Sequence, residues 1–231
     1  MKDDKDKEGE IIKVWQESAA PWVDLILRKG IENRALVTDD AIVDAVLKCK
    51  PTTVIDLGCG EGWLTDTLTQ QGIQVIGIDA VAELIDSART LRRGQFIQAS
   101  YAELLEENVS ECADLVVCNF SFLGEGSVEQ AVEVAATRLS GAGYLVVQTL
   151  HPVAACGDMP YEDGWREGTW CGFGSEFSDP APWYFRTIES WTALFMRYGF
   201  SLCEQLEPLH PVSHLPASMI FIARLDVTKS T

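Results

Sequence analysis

Positive charge is scarce in this chain: Lys+Arg number 18 against 35 Asp+Glu, a formal net charge of −17 over 231 residues. A surface of that sign repels phosphate backbones, which argues against DNA or RNA as a partner. Long apolar runs are missing too. None approaches the ~18 residues needed to cross a bilayer, so no membrane partner is expected. The seven cysteines (Cys49, Cys59, Cys112, Cys118, Cys156, Cys171, Cys203) include no Cys-x-x-Cys pair, and their number is odd. The start is rich in Lys, Asp and Glu where a secretory leader would be hydrophobic. Free thiols in a reducing cytoplasm are therefore expected, with no disulfide framework, zinc site or other metal. Repeats and low-complexity tracts are absent. The length suits one domain with a full core.

What is present begins with Val-Ile-Asp-Leu-Gly-Cys-Gly-Glu-Gly at 54–62. An apolar strand, 53–57, breaks into a three-glycine loop, and a helical pattern with Leu64 and Leu68 one turn apart follows at once. Strand, glycine loop and helix bring bare backbone N–H groups up to a nucleotide-like ligand. A second strand, 73–79, ends in Asp79, about 20 residues after Gly58, the spacing at which dinucleotide folds place an acid on the ribose hydroxyls.

Spacing separates the candidate ligands. A phosphate-binding P-loop needs Gly-Lys-Ser/Thr, whereas Gly62 is followed by Trp63 and Leu64. A nicotinamide or flavin fingerprint needs a third glycine where Trp63 stands, and indole suits that close approach poorly. Asp56 and Glu61 sit in the loop with no basic residue. Such charge is unfavourable beside a pyrophosphate and favourable beside a sulfonium or an amino group.

Residues 54–62 with Asp79 resemble motif I and the acidic motif of class I S-adenosylmethionine-dependent methyltransferases. The resemblance extends over about residues 50 to 225. Phe-Ile-Gln-Ala-Ser-Tyr at 96–101 falls where the family's third strand ends beside adenine. Ala-Asp-Leu-Val-Val-Cys-Asn at 113–119 resembles its fourth strand, and 139–147 the glycine-marked entry to its fifth. The resemblance implies an α/β fold: a Rossmann-like, doubly wound, seven-stranded sheet, mostly parallel with an antiparallel last strand, and helices on both faces. It implies S-adenosylmethionine as cofactor and S-adenosylhomocysteine as product.

The periodicity predicts strands near 52–57, 73–78, 94–98, 113–118, 142–149, 200–206 and 217–225, with helices near 62–71, 81–91, 101–107, 127–139 and 187–198. Residues 1–10 are charged and read as disordered. Residues 1–50 form a helical lid segment, with Thr38 as the expected cap of a helix over 39–48, and 51–150 the cofactor-binding core. Residues 151–186 lack periodicity but hold Trp165, Trp170, Phe173, Phe177, Trp183, Tyr184 and Phe185. An acceptor cap is expected there. Residues 187–231 supply the last helix, capped by Thr187, and two final strands.

The resemblance implies roles for named residues. Asp56 would sit near the methionine amino group. Gly58, Cys59, Gly60, Gly62 and Trp63 would supply backbone groups and room at the loop. Asp79 would hold the ribose, with Ala80 and Leu84 as the apolar wall under adenine. Ser100 stands where many relatives have Asp, which shifts the adenine contact toward Tyr101. Asn119 and Phe120 would lie under the sulfonium. Arg34, in the lid, would match the cofactor carboxylate, and Trp15 and Trp22 would close the acceptor pocket. His151 follows the fifth strand directly and is the candidate general base, ahead of His210 and His214.

The implied reaction is in-line methyl transfer to an O, N or C nucleophile of a small molecule. Asn-Phe-Ser-Phe at 119–122 lacks the prolines of the Asn-Pro-Pro-Tyr-like motif in nucleic-acid and protein-glutamine enzymes. The acid-rich, aromatic 151–186 segment favours a flat or apolar acceptor, neutral or cationic. Three rivals stand beside this reading: another sulfonium-using transferase, a non-catalytic cofactor-binding adaptor, and a nicotinamide oxidoreductase.

Overall fold

The structure, a computed structural model, describes residues 4–106, 112–171, 173, 176, 177 and 179–226. Helices α1 (Asp4–Glu17) and α2 (Ala19–Leu27) lead to a π-helical turn, Arg34–Thr38, that runs straight into α3 (Asp39–Lys48). The core then alternates: β1 (Thr53–Leu57), α4 (Trp63–Gln70), β2 (Gln74–Asp79), α5 (Ala82–Leu91), β3 (Gln95–Gln98), α6 (Tyr101–Glu106), β4 (Ala113–Asn119), α7 (Gly126–Arg138) and β5 (Leu139–Thr149). A short α8 (Pro152–Cys156) and a hairpin of β6 (Gly164–Arg166) and β7 (Trp183–Phe185) precede α9 (Ile188–Arg197), β8 (Phe200–Leu206) and β9 (Met219–Leu225).

The seven-stranded sheet has the order β3-β2-β1-β4-β5-β9-β8. Strands β1 to β5 run parallel. The last strand, β9, inserts antiparallel between β5 and the edge strand β8. Both faces are covered, which is why the central strands read as continuous apolar runs. One face packs Val54, Leu115, Val117, Val146 and Ile220 against Ile42 and Val46 of α3 and Leu64 and Leu68 of α4. The other packs Ile55, Val116, Leu145 and Phe221 against α7 and α9. There Trp191 stacks on Phe122 and Phe195, at 6.0 and 5.9 Å between centroids. Each such side chain contributes about 1.5–3 kcal/mol on leaving water. Chain order reverses between β1 and β4. Ligands of open α/β sheets bind outside the carboxyl ends of strands at such a switch point.

Three expectations differ from the structure. Residues 4–10 are helical, not disordered, and Glu8 explains why: its carboxylate accepts N–H bonds from Glu125 and Gly126 (2.8 Å each) and the Ser127 hydroxyl (2.6 Å), capping α7. Residues 1–3 lie outside the described set. Thr38 is not a cap. It is helical and makes no capping bond, because the π-turn continues into α3. The 151–186 segment contains the β6–β7 hairpin, whose three-residue strands are too short to show an alternation. The Thr187 cap is present, its side chain accepting from Ser190 N at 3.1 Å. Among the described residues, no helix is long and apolar enough to cross a membrane.

Candidate active site at the carboxyl end of the sheet

The glycine loop is tied to the neighbouring strand by backbone. Gly58 and Cys59 N–H groups donate to the Ile78 carbonyl at 2.7 and 3.0 Å. At the end of β2, Asp79 Oδ2 accepts from Gly60 N and Oδ1 from Val81 N, both at 2.9 Å. A carboxylate has about four acceptor positions, so each oxygen keeps one for a ligand hydroxyl. Gly58 has φ +75°, and a Cβ there would collide with the Ser121 side chain. Ser121 in turn donates to the Leu57 carbonyl at 2.7 Å. Gly60, at φ +58°, faces open space, with Trp22 Nε1 3.9 Å from where its Cβ would stand. One glycine is thus needed for packing, the other leaves bare backbone toward a ligand.

Three acids gather here. Burial raises the carboxyl of Asp56 to about 7, against the opposing pull of a 2.8 Å bond from the Thr65 hydroxyl. Burial also raises Glu61, offset in part by Arg34, and Asp79, offset in part by its backbone N–H bonds. Neighbouring negative charge from Asp79 and Glu61 adds to the rise at Asp56. Cys59 Sγ is buried and its thiol pushed well up, which keeps it a neutral packing group. A cationic ligand relieves this crowding of anions; a pyrophosphate worsens it.

In the sequence Glu61 reads only as loop charge, because its partners are distant along the chain. Trp22 Nε1 donates to its Oε2 at 3.3 Å, and Arg92 Nη2 lies 3.6 Å from Oε1. Arg34, on the π-turn, donates from Nε to Asp39 Oδ1 at 2.9 Å and lies over the Trp63 ring, 4.8 Å from its centroid. Its Nη2 is buried with no hydrogen-bond partner among the described residues. Trp63 therefore packs under a guanidinium, which an indole does well and a close-approach glycine position would not need.

The N-terminal helices meet the aromatic segment directly. Trp15 stands edge-on to Trp22 at 5.0 Å and to Trp170 at 5.8 Å, and Trp22 stacks on Phe173 at 6.2 Å. Trp170 and Phe177 are 4.7 Å apart, and Arg28 pairs with Glu176. Beneath them, Val81 and Leu84 are buried with Ala19 against the half-buried Trp15 and Trp22, while the neighbouring Ala80 stays half-buried.

Other expected residues also make structural contacts. Ser100 forms a capping box with Glu103: Ser100 N and Oγ each reach Glu103 Oε2 at 2.7 Å, and Glu103 N returns to Ser100 Oγ at 3.3 Å. The Ser-Tyr-Ala-Glu spacing at 100–103 carried that signal. The Tyr101 hydroxyl lies behind Gly58, with its ring edge-on to Phe122 at 6.4 Å. Asn119 ends β4, and Phe120 takes a strained φ of +53° while its N–H donates to the Gln148 carbonyl at 2.8 Å. His151 is the N-cap of α8: Nδ1 accepts a long 3.4 Å bond from Ala154 N, and Nε2 lies 3.7 Å from Glu207 Oε1. His210 accepts from Val212 and Ser213 N–H groups within its own turn; His214, with φ +56°, closes that turn through a backbone N–H to the His210 carbonyl.

A family model for the methyltransferase domain matches residues 54–143. The rat mitochondrial ubiquinone biosynthesis O-methyltransferase is 33% identical over 106 residues, covering 42% of this chain and 30% of that protein. The Xylella fastidiosa (strain M23) ubiquinone biosynthesis O-methyltransferase is 32% identical over 106 residues, covering 44% of this chain and 43% of its own length. The matched segment thus spans less than half the length of these curated relatives. Among solved structures, a putative S-adenosylmethionine-dependent methyltransferase from Listeria monocytogenes superposes with a TM-score of 0.64 at 17% identity, covering 82% of this chain and all of that one. At that identity the likeness is one of fold. Residues 54–143 thus match a methyltransferase domain, and the fold is one that S-adenosylmethionine-dependent methyltransferases share.

Proposed function

We propose that this chain transfers a methyl group from S-adenosylmethionine to an oxygen, nitrogen or carbon nucleophile of a small-molecule acceptor. The observation that carries the reading is Asp79, held by the Gly60 and Val81 N–H groups at 2.9 Å with lone pairs left for a ribose diol. The surrounding residues fit the rest of the cofactor. Gly58, Cys59, Gly60 and Trp63 shape the loop; Ala80 and Leu84 form the apolar wall for adenine, with Ser100 and Tyr101 contributing backbone. Asp56 supports the amino-acid end, and the unpartnered Arg34 Nη2 is free for its carboxylate. Asn119 and Phe120 border the transferred group.

Bound S-adenosylmethionine supplies an electrophilic methyl on a cationic sulfur. The protein's own work is to align the acceptor and exclude water. The N-terminal helices act as the lid and the 151–186 segment as the cap, their aromatic cluster favouring a flat or apolar acceptor that is neutral or cationic. Relatives named as O-methyltransferases make oxygen one accepting atom. Where the nucleophile arrives protonated, His151 is the base. Its Nδ1 exchanges the long Ala154 bond for that proton, while Glu207 steadies the imidazolium at Nε2. The test is transfer of labelled methyl across a panel of small acceptors, with His151→Ala beside wild type. The reading expects label in a neutral or cationic acceptor and at least a ~100-fold drop in kcat for the variant. Methylation of acidic acceptors alone overturns the acceptor class. Unchanged turnover with intact cofactor affinity removes the base.

A further inference from the structure

Two carboxamides stand side by side at the carboxyl ends of β4 and β5: Asn119 and Gln148 are register partners on these parallel strands, so their side chains share a face. It is the α3 face, since Leu115, Val117 and Val146 on the same alternation pack with α3. Gln148 is wholly buried. Its amide nitrogen donates to Ser218 Oγ at 2.9 Å, and Oε1 has no partner among the described residues. Asn119 Oδ1 is likewise buried and unpartnered among the described residues. Helix α3 packs on the same face, and Thr38 Oγ1, just before its first turn, is a third buried oxygen without a partner among the described residues. Buried acceptors left unsatisfied are destabilising, so the Asn119 and Gln148 pair at a strand-end crevice is costly unless a ligand completes it.

We propose that Gln148 Oε1 and Asn119 Oδ1 form a buried subsite that holds an amino group of the methyl acceptor. The inference rests on the methyl-transfer reading and deepens it. Both carboxamide oxygens are acceptors, and an ammonium offers three donors and no lone pair. A carboxylate brings only acceptors and is repelled; an alcohol brings one donor and leaves the second carbonyl unsatisfied. The charge of −17 draws cations toward the molecule. Gln148 sets specificity, and Ser218 is a positioning residue that keeps Oε1 turned to the site. Entry is from the Asn119 side, where the residue is half-buried, beneath the N-terminal helices.

The test is calorimetric titration of the full chain, saturated with S-adenosylhomocysteine, using phenethylamine, 2-phenylethanol and phenylacetate as matched probes. The amine is expected to bind about ten-fold tighter than the alcohol, with the acid weakest. Gln148→Met, which keeps the volume and removes the acceptor, should bring the amine-to-alcohol ratio within about two-fold of unity at unchanged S-adenosylhomocysteine affinity. Ser218→Ala should lower the ratio part of the way and stands in if Gln148→Met does not fold. A merely structural Gln148 would change the melting temperature and leave the ratio alone. Equal binding of amine and alcohol, tighter binding of the alcohol, no binding of any probe, or a ratio preserved in the variants overturns the subsite and leaves its oxygens to ordered water. Failure of wild type to bind S-adenosylhomocysteine would instead strike the methyl-transfer reading itself.

Discussion

In the glycine loop, the backbone's polar partners come from nearby in the chain: Gly60 N meets Asp79 across 19 residues, through backbone groups that any side chain at position 60 would offer. In the N-terminal helices and the 151–186 segment, partners are far apart and side-chain borne. Glu8 reaches α7 across 117 residues, Arg28 reaches Glu176 across 148, and Trp15 meets Trp170 edge to edge. The loop is held by hydrogen bonds on a rigid sheet. The cover is held by aromatic contacts of about 0.5–1.5 kcal/mol each and a half-exposed ion pair worth about 0–1 kcal/mol. A rigid floor with a loosely attached cover is the arrangement a binding site needs if ligands are to enter and water is then to leave.

Breaking the floor should cost most. Gly58→Ala places a Cβ against Ser121 at a left-handed φ, and should destabilise the chain by about 3 kcal/mol in urea unfolding while abolishing cofactor binding. A loss under about 0.5 kcal/mol would mean the loop relaxes freely and is not rigid. The pH dependence of stability sharpens the same side. Asp56 titrates near 7 when folded and near 3.8 otherwise, so folding binds a proton between those values. Its contribution therefore falls as pH rises from about 4 to 7, by up to roughly 4 kcal/mol. Subtracting the Asp56→Asn curve from wild type should isolate that slope, and parallel curves would show that the group ionises normally. The cover should yield less. Trp22→Phe keeps the ring packing but removes the 3.3 Å bond to Glu61, and S-adenosylhomocysteine should dissociate about ten-fold faster with stability lowered by ~1 kcal/mol. An unchanged off-rate would separate Trp22 from the closure of the site.

The contrast also explains what the sequence made legible. Five parallel strands were readable as apolar runs because both faces of the sheet are covered, and the Gly58–Gly62 loop with Asp79 was readable because its geometry is local. Glu8, Glu61 and Gln148 were not, since their partners lie on other elements and no spacing rule links them. At Ser100 the Ser-Tyr-Ala-Glu spacing also opens a capping box with Glu103, a local signal that a ligand contact does not account for. Thr38 looked like a cap by residue type, and only the π-turn that it ends shows why the helix has no free end there. His151 stands directly after β5 as expected, yet its Nδ1 accepts the Ala154 N–H, a task set by the short helix that Pro152 begins.

The central claim is that Asp79 holds a ribose at the floor of the site. Calorimetric titration of S-adenosylhomocysteine into wild type and Asp79→Ala, with melting temperatures recorded alongside, tests it most directly. The account predicts binding in the micromolar range for wild type and at least about a hundred-fold weaker binding for a folded Asp79→Ala. Equal affinity in the two proteins, or no binding by a folded wild type, would contradict it.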